Sequence, residues 1–527
     1  MKKITQILLV AVTLGGIVGL NSCKKQLNLK PKYGLNTETV YGNPDNYIQV
    51  VAKLYSGLSM TGLQGPAGNG DIAGIDEGFS AYVRVLFNLQ ELPTDEVVCG
   101  WNDPGIPEMN KMNWSPETSF VKGMYYRIFY QITLCNEFIR ETSEAKMDER
   151  GFTEAQKATI RVYQSEARFL RSLSYYHAMD LFGNVPFVTE EDEVGAFQPK
   201  RITRSELFSY VESELLAIEG SLLSPSAAPY GRANKVAAQF LLAKLYLNAE
   251  VYTGIAKNTE CANYSLKVIN SGAYSLDDNY QDLFLADNNT SPEIIFPVIY
   301  DGVNAQSWGG STFLVNAAIG GTMIPQDYGV NGAWGGLRTT SAFVNKFPDS
   351  TLDSRYLFYR DGQSKEITNL STFAEGYAFP KYKNKTSTGA NGSGNALSAQ
   401  ADIDFPMFRL ADAYLMYAEA ALRGGGDISQ GLGYVNQLRQ RAYGNTTFNL
   451  ASITLDDIID ERARELSWES TRRTDLIRFN LFTTSTYVWP FKGGDLTGVG
   501  VSSIYNLYPI PTADIVLNPN LIQNSGY

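Results

Sequence analysis

The chain is poor in histidine, in cysteine and in charge. Among 527 residues there is one histidine, His177, there are four cysteines, and only 19% of residues are charged. A single imidazole excludes a His-ligated metal centre and the His-Glu-x-x-His helix. A Ser-His-Asp triad would have to use His177, which shares a helix face with Leu170 and Leu181 by its spacing and reads as a core residue. Neither a Gly-x-Ser-x-Gly elbow nor a Gly-Lys-Ser/Thr phosphate loop occurs. After Cys23, only Cys99, Cys135 and Cys261 remain, in no close pair; they allow at most one disulfide, suit no zinc site and read as packing residues. Basic residues are outnumbered, 44 Lys and Arg against 55 Asp and Glu, for a net charge of −11. That balance argues against nucleic acid as a partner.

Long apolar runs are also missing, with one exception at the N-terminus. Met1-Lys2-Lys3 is followed by a mostly apolar stretch from Ile4 to Leu20 and then by Asn21-Ser22-Cys23. Basic residues before a run of this length form a secretory signal, too short and too rich in Thr and Gly for a mature membrane span. The Leu-x-Ser-Cys ending resembles a bacterial lipobox, so residues 1–22 are read as a signal peptide and Cys23 as an acylated first residue. The acyl chains would then be the only anchor. Lys24 in place of Asp fits outer-membrane sorting.

What the sequence has in excess is aromatic residues and glycine: 26 Phe, 32 Tyr, 6 Trp and 47 Gly. From Phe120 to about residue 272 the periodicity is helical, as in Ser165–Phe182 and Arg232–Ala249. It becomes helical again from about 404 to 482, at Pro406–Leu422, Tyr434–Ala442 and Leu455–Phe479. In the last of these, Ile459, Ala463 and Leu466 form the apolar side, and Glu461, Arg464 and Glu465 are expected to face water. Paired helices suggest stacked helix-turn-helix units. Segments 60–118 and 273–403 read as loops and short strands, with nine glycines between 301 and 340, and 483–527 forms a C-terminal segment. The expected fold is mostly α: one domain over 23–527, a tetratricopeptide-like helix-pair scaffold carrying a long irregular ligand-binding portion.

Catalysis would have to rest on carboxylates. Asp95-Glu96, Asp402 and Asp404 could serve a glycosidase, which needs two of them across a scissile bond. Binding makes better use of what is present. A flat aromatic ring can cover the C–H face of a sugar while Asn, Asp or Arg satisfies its hydroxyls. Trp101 lies in the turn Trp-Asn-Asp-Pro-Gly, and Trp308 and Trp334 are flanked by glycines that would let a ligand approach. Trp114 also lies in a loop-like segment, whereas Trp468 and Trp489 read as structural.

Several blocks resemble the SusD/RagB family. They are Glu166-Ala-Arg-Phe-Leu-Arg171, Asp180-Leu-Phe-Gly-Asn-Val-Pro-Phe187, the run Phe408 to Ala420, and Val435-Asn-Gln-Leu-Arg-Gln-Arg-Ala442. Ile459 to Leu466, Arg473 to Arg478, Tyr508-Pro-Ile-Pro511 and Asn518 to Tyr527 complete the series in family order. The resemblance is closest to the family's starch-binding branch, through Asp76-Glu-Gly-Phe, Glu91-Leu-Pro-Thr-Asp-Glu96 and Gly309 to Val315. It implies a non-catalytic lipoprotein of Bacteroidetes, anchored to outer-membrane lipid through acylated Cys23 and exposed at the cell surface. The implied role is capture of starch or malto-oligosaccharides for a SusC-type TonB-dependent transporter. The implied site is an arc of Trp101, Trp308 and Trp334 with Arg84, and with Asn102 or Asp103 in an asparagine's place. No cofactor is required, although some members hold calcium, for which Asp287, Asp402 and Asp404 could supply oxygen ligands. Levan- and xylan-binding relatives share the scaffold, and a helical module that only supports the transporter is a further alternative.

Overall fold

Helix boundaries in this protein are written in side chains that cap the chain ends. Thr153, Thr203 and Thr454 each accept a hydrogen bond from the backbone N–H three residues on. Gln156, Glu206 and Asp457 reach back to the capping residues, which closes a reciprocal box at three helix starts. Asn234 and Asp427 cap two more. Gly183 (φ 72°) and Gly444 (φ 67°) end helices where the backbone turns to positive φ. The structure is a computed structural model and describes residues 37–62, 70–348, 352–393 and 399–527. The leader and Cys23 lie outside the described residues, as do residues 63–69.

The scaffold comprises helices α1 (Tyr47–Ser59), α2 (Tyr82–Gln90), α3 (Ser119–Glu141), α4 (Glu154–Phe182), α5 (Arg204–Ile218), α6 (Lys235–Leu247) and α7 (Asn258–Ile269). After the irregular portion, which contains α8 (Gly310–Ala317), come α9 (Leu410–Leu422), α10 (Ile428–Tyr443), α11 (Leu455–Leu466) and α12 (Arg472–Arg478). Neighbours pack in pairs: α3 on α4, α4 on α5, α6 on α7, and α9 on both α7 and α10. One apolar core runs through all of them. As expected, α6 is buried almost all round and His177 lies inside, its Nδ1 2.7 Å from the Tyr82 hydroxyl. Burial pushes the His177 pKa down to about 3, so the ring is neutral. Cys99, Cys135 and Cys261 are buried free thiols. No described helix is long and apolar enough to cross a membrane.

The irregular portion is held by two short antiparallel pairs. Strand β1 (Val97–Cys99) pairs with β3 (Leu337–Thr339), and β2 (Ile294–Val298) pairs with β4 (Phe405–Arg409).

Two expectations for residues 455–479 are corrected. The segment is two helices, α11 and α12, separated by a break in which Trp468 and Ser470 adopt φ of 61° and 62°. The break is stable because distant side chains satisfy its backbone. Trp468 N–H donates to Glu96 Oε2 (3.1 Å), Thr471 N–H to Glu91 Oε1 (2.9 Å), and Lys381 Nζ donates to the Ser467 carbonyl (2.6 Å). The second correction concerns the polar side of α11. Glu461, Arg464 and Glu465 do not face water; all three are buried. Glu465 accepts from Arg409 (2.7 Å), Arg355 (3.2 Å) and Arg441, and Glu461 accepts from Arg355 (2.6 Å), Arg464 (2.7 Å) and Arg439 (2.9 Å). Burial alone would raise both carboxyl pKa values; the arginines outweigh it and hold both well below the usual range.

Glu91 and Glu96 have the opposite balance. Burial, and for Glu91 the neighbouring Glu96 charge, push both carboxyls above their ordinary range. Glu91 Oε2 has no hydrogen-bond partner among the described residues.

Two predictions follow from these groups. Removing one partner of a buried ion cluster leaves the others uncompensated, so Glu465→Ala should cost about 3–5 kcal/mol by urea unfolding. An unchanged midpoint would contradict the cluster's role. For the Glu91–Glu96 pair, the folded state binds more protons than the unfolded one. Stability contributed by the pair is therefore present near pH 4.5 and falls as the pH rises toward about 8. Glu91→Gln removes one of the two charges and should flatten that alkaline loss in thermal melts taken across the range.

Candidate functional site

Trp101 and Trp334 are 233 residues apart in sequence, and the β1–β3 pair brings them together. Cys99 pairs with Leu337, and the ladder is extended by Gly100 N–H donating to the Gly336 carbonyl (2.9 Å). Trp101 Nε1–H then donates to the Trp334 carbonyl (3.1 Å). The backbone of 334–336 is fastened to the end of α8: Trp334 N–H to Asn316 O (2.8 Å), Gly335 to Ile319 (2.9 Å) and Gly336 to Ala317 (2.9 Å). Trp308 stands just before the start of the same helix. One eight-residue helix therefore carries one indole near its N-terminus and clamps another at its C-terminus.

The three rings form a row of tilted neighbours with Trp334 between the other two. Its ring centre lies 6.4 Å from that of Trp101 with planes at 48°, and 6.2 Å from that of Trp308 with planes at 49°. All three are partly exposed. Glycine is required at two contacts. A Cβ on Gly336 would lie 2.5 Å from the Trp101 ring, and one on Gly309 would lie 2.1 Å from Ala81 Cβ. The second contact presses the start of α8 onto α2.

Arg84, on α2, lies beneath the row. It is buried, and its guanidinium carbon sits 4.2 Å from the Phe79 ring centre, 4.4 Å from that of Phe313 and 5.9 Å from that of Trp101. Its Nε has no hydrogen-bond partner among the described residues. Burial lowers its pKa to about 10, against the opposing pull of Asp76 and Asp103, and it stays charged at neutral pH. Asn102 is exposed at the turn, and Asp103 uses its backbone carbonyl to accept from Ile106 N–H (3.0 Å). Phe79 and Phe313, whose rings flank Arg84, and Asn316, whose backbone carbonyl holds Trp334, do not stand out in the sequence as site residues. Their signal is weak, because each reads as an ordinary core residue.

The other singled-out residues are engaged elsewhere. Asp95 is gripped by Arg472 (2.7 Å) and by the Tyr487 hydroxyl (2.6 Å), and Glu96 supports the Trp468 break; both are buried parts of the scaffold. Asp287 accepts from Ser387, Asp402 from Gly302 N–H (2.6 Å) and the Ser393 hydroxyl (2.7 Å), and Asp404 from the Tyr230 hydroxyl (2.8 Å) and Tyr300 N–H (2.9 Å). No group of three or more metal-binding side chains gathers among the described residues. Trp114 is buried against Tyr505 and Tyr508 and donates to the Tyr527 hydroxyl (2.8 Å), so it anchors the C-terminal segment.

Comparison with known proteins places the chain in a family. A family model described as SusD family matches residues 277–527, and one described as starch-binding associating with outer membrane matches residues 105–247. Starch-binding protein SusD of Bacteroides thetaiotaomicron is 37% identical over 100% of this chain and 99% of its own. SusD-like protein P25 of Formosa agariphila is 25% identical over 96% of this chain and 97% of its own. Among solved structures, surface glycan-binding protein A from Bacteroides fluxus has a TM-score of 0.71 at 20% identity, covering 92% of this chain and 100% of that one. A SusD superfamily protein from Parabacteroides distasonis has a TM-score of 0.70 at 22% identity, covering 94% of this chain and 100% of that one. These structural likenesses speak for the fold, a mostly helical scaffold with tetratricopeptide-like helix pairs. Through a 37% identical relative that matches it from end to end, the chain belongs to the SusD family.

Proposed function

We propose that this protein captures starch and malto-oligosaccharides at the outer membrane, held there by lipid on Cys23, and passes them to a SusC-type TonB-dependent transporter. It is a glycan-binding protein and not an enzyme, in keeping with its family. The observation that carries the starch reading is the row of three mutually tilted indoles. Neighbouring rings tilted by 48° and 49° give the sugar rings no common plane, which suits a curved chain better than a flat ribbon. The 37% identical relative named for starch binding supports the same ligand.

In this reading, each indole covers one apolar sugar face, and desolvation of that face supplies most of the affinity. Arg84 supplies charge-assisted hydrogen bonding to a hydroxyl, and Asn102 or Asp103 serves the rim. The row is held by backbone hydrogen bonds and glycine contacts, so little side-chain entropy remains to be lost on binding.

Trp334→Ala removes the central ring and should weaken amylopectin binding at least tenfold, about 1.4 kcal/mol, in affinity electrophoresis or calorimetry. Trp101→Ala and Trp308→Ala should each weaken it less. Unchanged affinity in all three variants would remove the site assignment, and binding of levan or xylan in place of α-glucan would change the ligand. Calcium is not required in this reading, because Asp287, Asp402 and Asp404 already accept protein hydrogen bonds. EDTA should therefore leave both the melting temperature and amylopectin affinity unaltered.

A further inference from the structure

A second concave surface lies where the chain leading into α6 meets the approach to strand β2. It is a groove of about 340 Å³, walled by Tyr230 and Arg232 on one side and by Tyr274, Asn289, Pro292 and Pro297 on the other. That volume is within the range of small-ligand sites, roughly 300–1,000 Å³.

The groove's side chains are held in place. Tyr230 is 44% exposed, yet its hydroxyl is tied to Asp404 Oδ2 (2.8 Å). The next residue, Gly231, has φ 79°, and Ile299 Cδ1 lies 2.2 Å from where a Cβ would stand, so the chain is pinned there. The Tyr274 hydroxyl accepts from Asn234 Nδ2 (3.0 Å) and keeps its own proton to donate. Arg232 is fixed by Glu166, which takes its Nε (2.9 Å) and its Nη2.

The chemistry narrows the ligand class. The Arg232 charge is already matched by Glu166, so the groove does not select an anion. Asp404 is occupied by Tyr230 and by Tyr300 N–H, so it does not offer a free carboxylate to a cation. Aromatic ring, proline rings, amide and phenol remain: flat apolar surface bordered by neutral donors and acceptors. That combination fits a polyhydroxylated ring.

The groove is also joined to the indole row through the chain. Asp404 grips Tyr230 with one oxygen and Tyr300 N–H with the other. The stretch from Tyr300 leads to Trp308, and Gly310 (φ 55°) lets the Tyr300 ring pack where a Cβ would be only 2.1 Å away. The groove and the row are two ends of one anchored segment, residues 299–310.

We propose that this groove is a second glycan subsite, taking one or two pyranose units of the same polysaccharide that the indole row holds. The proposal rests on the starch reading. A long chain bound at the row presents its own further units to the groove at high effective concentration, so the groove adds to the affinity for polymer and little to that for short oligosaccharides.

The test compares amylopectin, by affinity electrophoresis, with maltoheptaose, by calorimetry, on the full chain. Tyr230→Ala removes the ring, and Asn289→Ala removes the amide while touching none of the bonds that hold the fold. Each should weaken amylopectin binding about threefold to tenfold and leave maltoheptaose affinity within twofold; Asn289→Ala should also keep the melting temperature, whereas Tyr230→Ala, which takes a partner from buried Asp404, should lower it. In a Trp101→Ala/Trp334→Ala background, residual amylopectin retardation should disappear when Tyr230→Ala is added. Unchanged amylopectin affinity in both groove variants overturns the proposal and leaves the starch reading standing. Absence of α-glucan binding in the unmodified protein ends both. A proline-rich peptide that binds the unmodified protein and not Tyr230→Ala, with amylopectin affinity unchanged, reassigns the groove to peptide and overturns it too.

Discussion

Buried charge has to be matched or it unfolds the protein, and in this chain the matching holds the two unlike halves together. Glu461 and Glu465 on α11 and Glu469 in the break after it receive four arginines from three separate places: Arg355 in the irregular portion, Arg409 at the end of β4, and Arg439 and Arg441 on α10. Asp353 and Glu293 complete the cluster. A carboxylate or guanidinium this deep costs several kcal/mol of lost hydration and recovers it only when all its partners arrive together. The cluster therefore acts as a register. The loops from 273 to 403 have little regular structure of their own, and charge matching at Arg355 and Lys381 fixes them to the helices.

Once those loops are fixed, the indole row follows by short steps. The β2–β4 pair sets the start of segment 299–310, α8 begins at its end, and α8 clamps residues 334–336. The β1–β3 ladder then sets Trp101 beside Trp334. No ring in the row depends on a long flexible side-chain path. The same α2 that carries Arg84 is followed by Glu91, Asp95 and Glu96, which tie the other end of this region to the break after α11. Site and scaffold thus share a set of buried polar contacts.

Much of this was legible in the sequence, and the parts that were not share one physical cause. Periodicity located the long scaffold helices, the near-complete burial of α6 and the interior His177, because all of these depend on local spacing, but it passed over α2 and α8, which lie in segments read as loops and short strands. It misplaced the polar side of α11, because spacing separates apolar from polar residues but does not separate solvated charge from paired buried charge. The partners that decide the matter lie 22, 56 and 110 residues away, at Arg439, Arg409 and Arg355. The break at Trp468 escaped for the same reason, since its supports come from Glu91, Glu96 and Lys381. For the candidate site, the sequence offered four loop tryptophans by composition, and the family resemblance narrowed them to Trp101, Trp308 and Trp334, which the structure brings together while burying Trp114. It could not reveal their order in space, with Trp334 central, because that order is set by a strand pair and a helix end between distant segments.

The location of the row in the irregular portion has a physical reason as well. A helix in this scaffold buries its aromatic residues against its neighbours, as α6 does with Phe240, which stacks on Phe408 (4.6 Å). An indole that is to meet a sugar must instead keep one face in water, which exposes apolar surface at a cost of roughly 25 cal/mol per Å². Such a ring stays in place only if its backbone is held independently of its own packing. Gly309 and Gly336 permit the close approaches that do this, one pressing α8 onto α2 and the other admitting the Trp101 ring. The glycine-rich texture and the tryptophans are thus two parts of one device: glycine brings the backbone segments together, and the backbone then holds out rings that hydrophobic packing alone would draw inward.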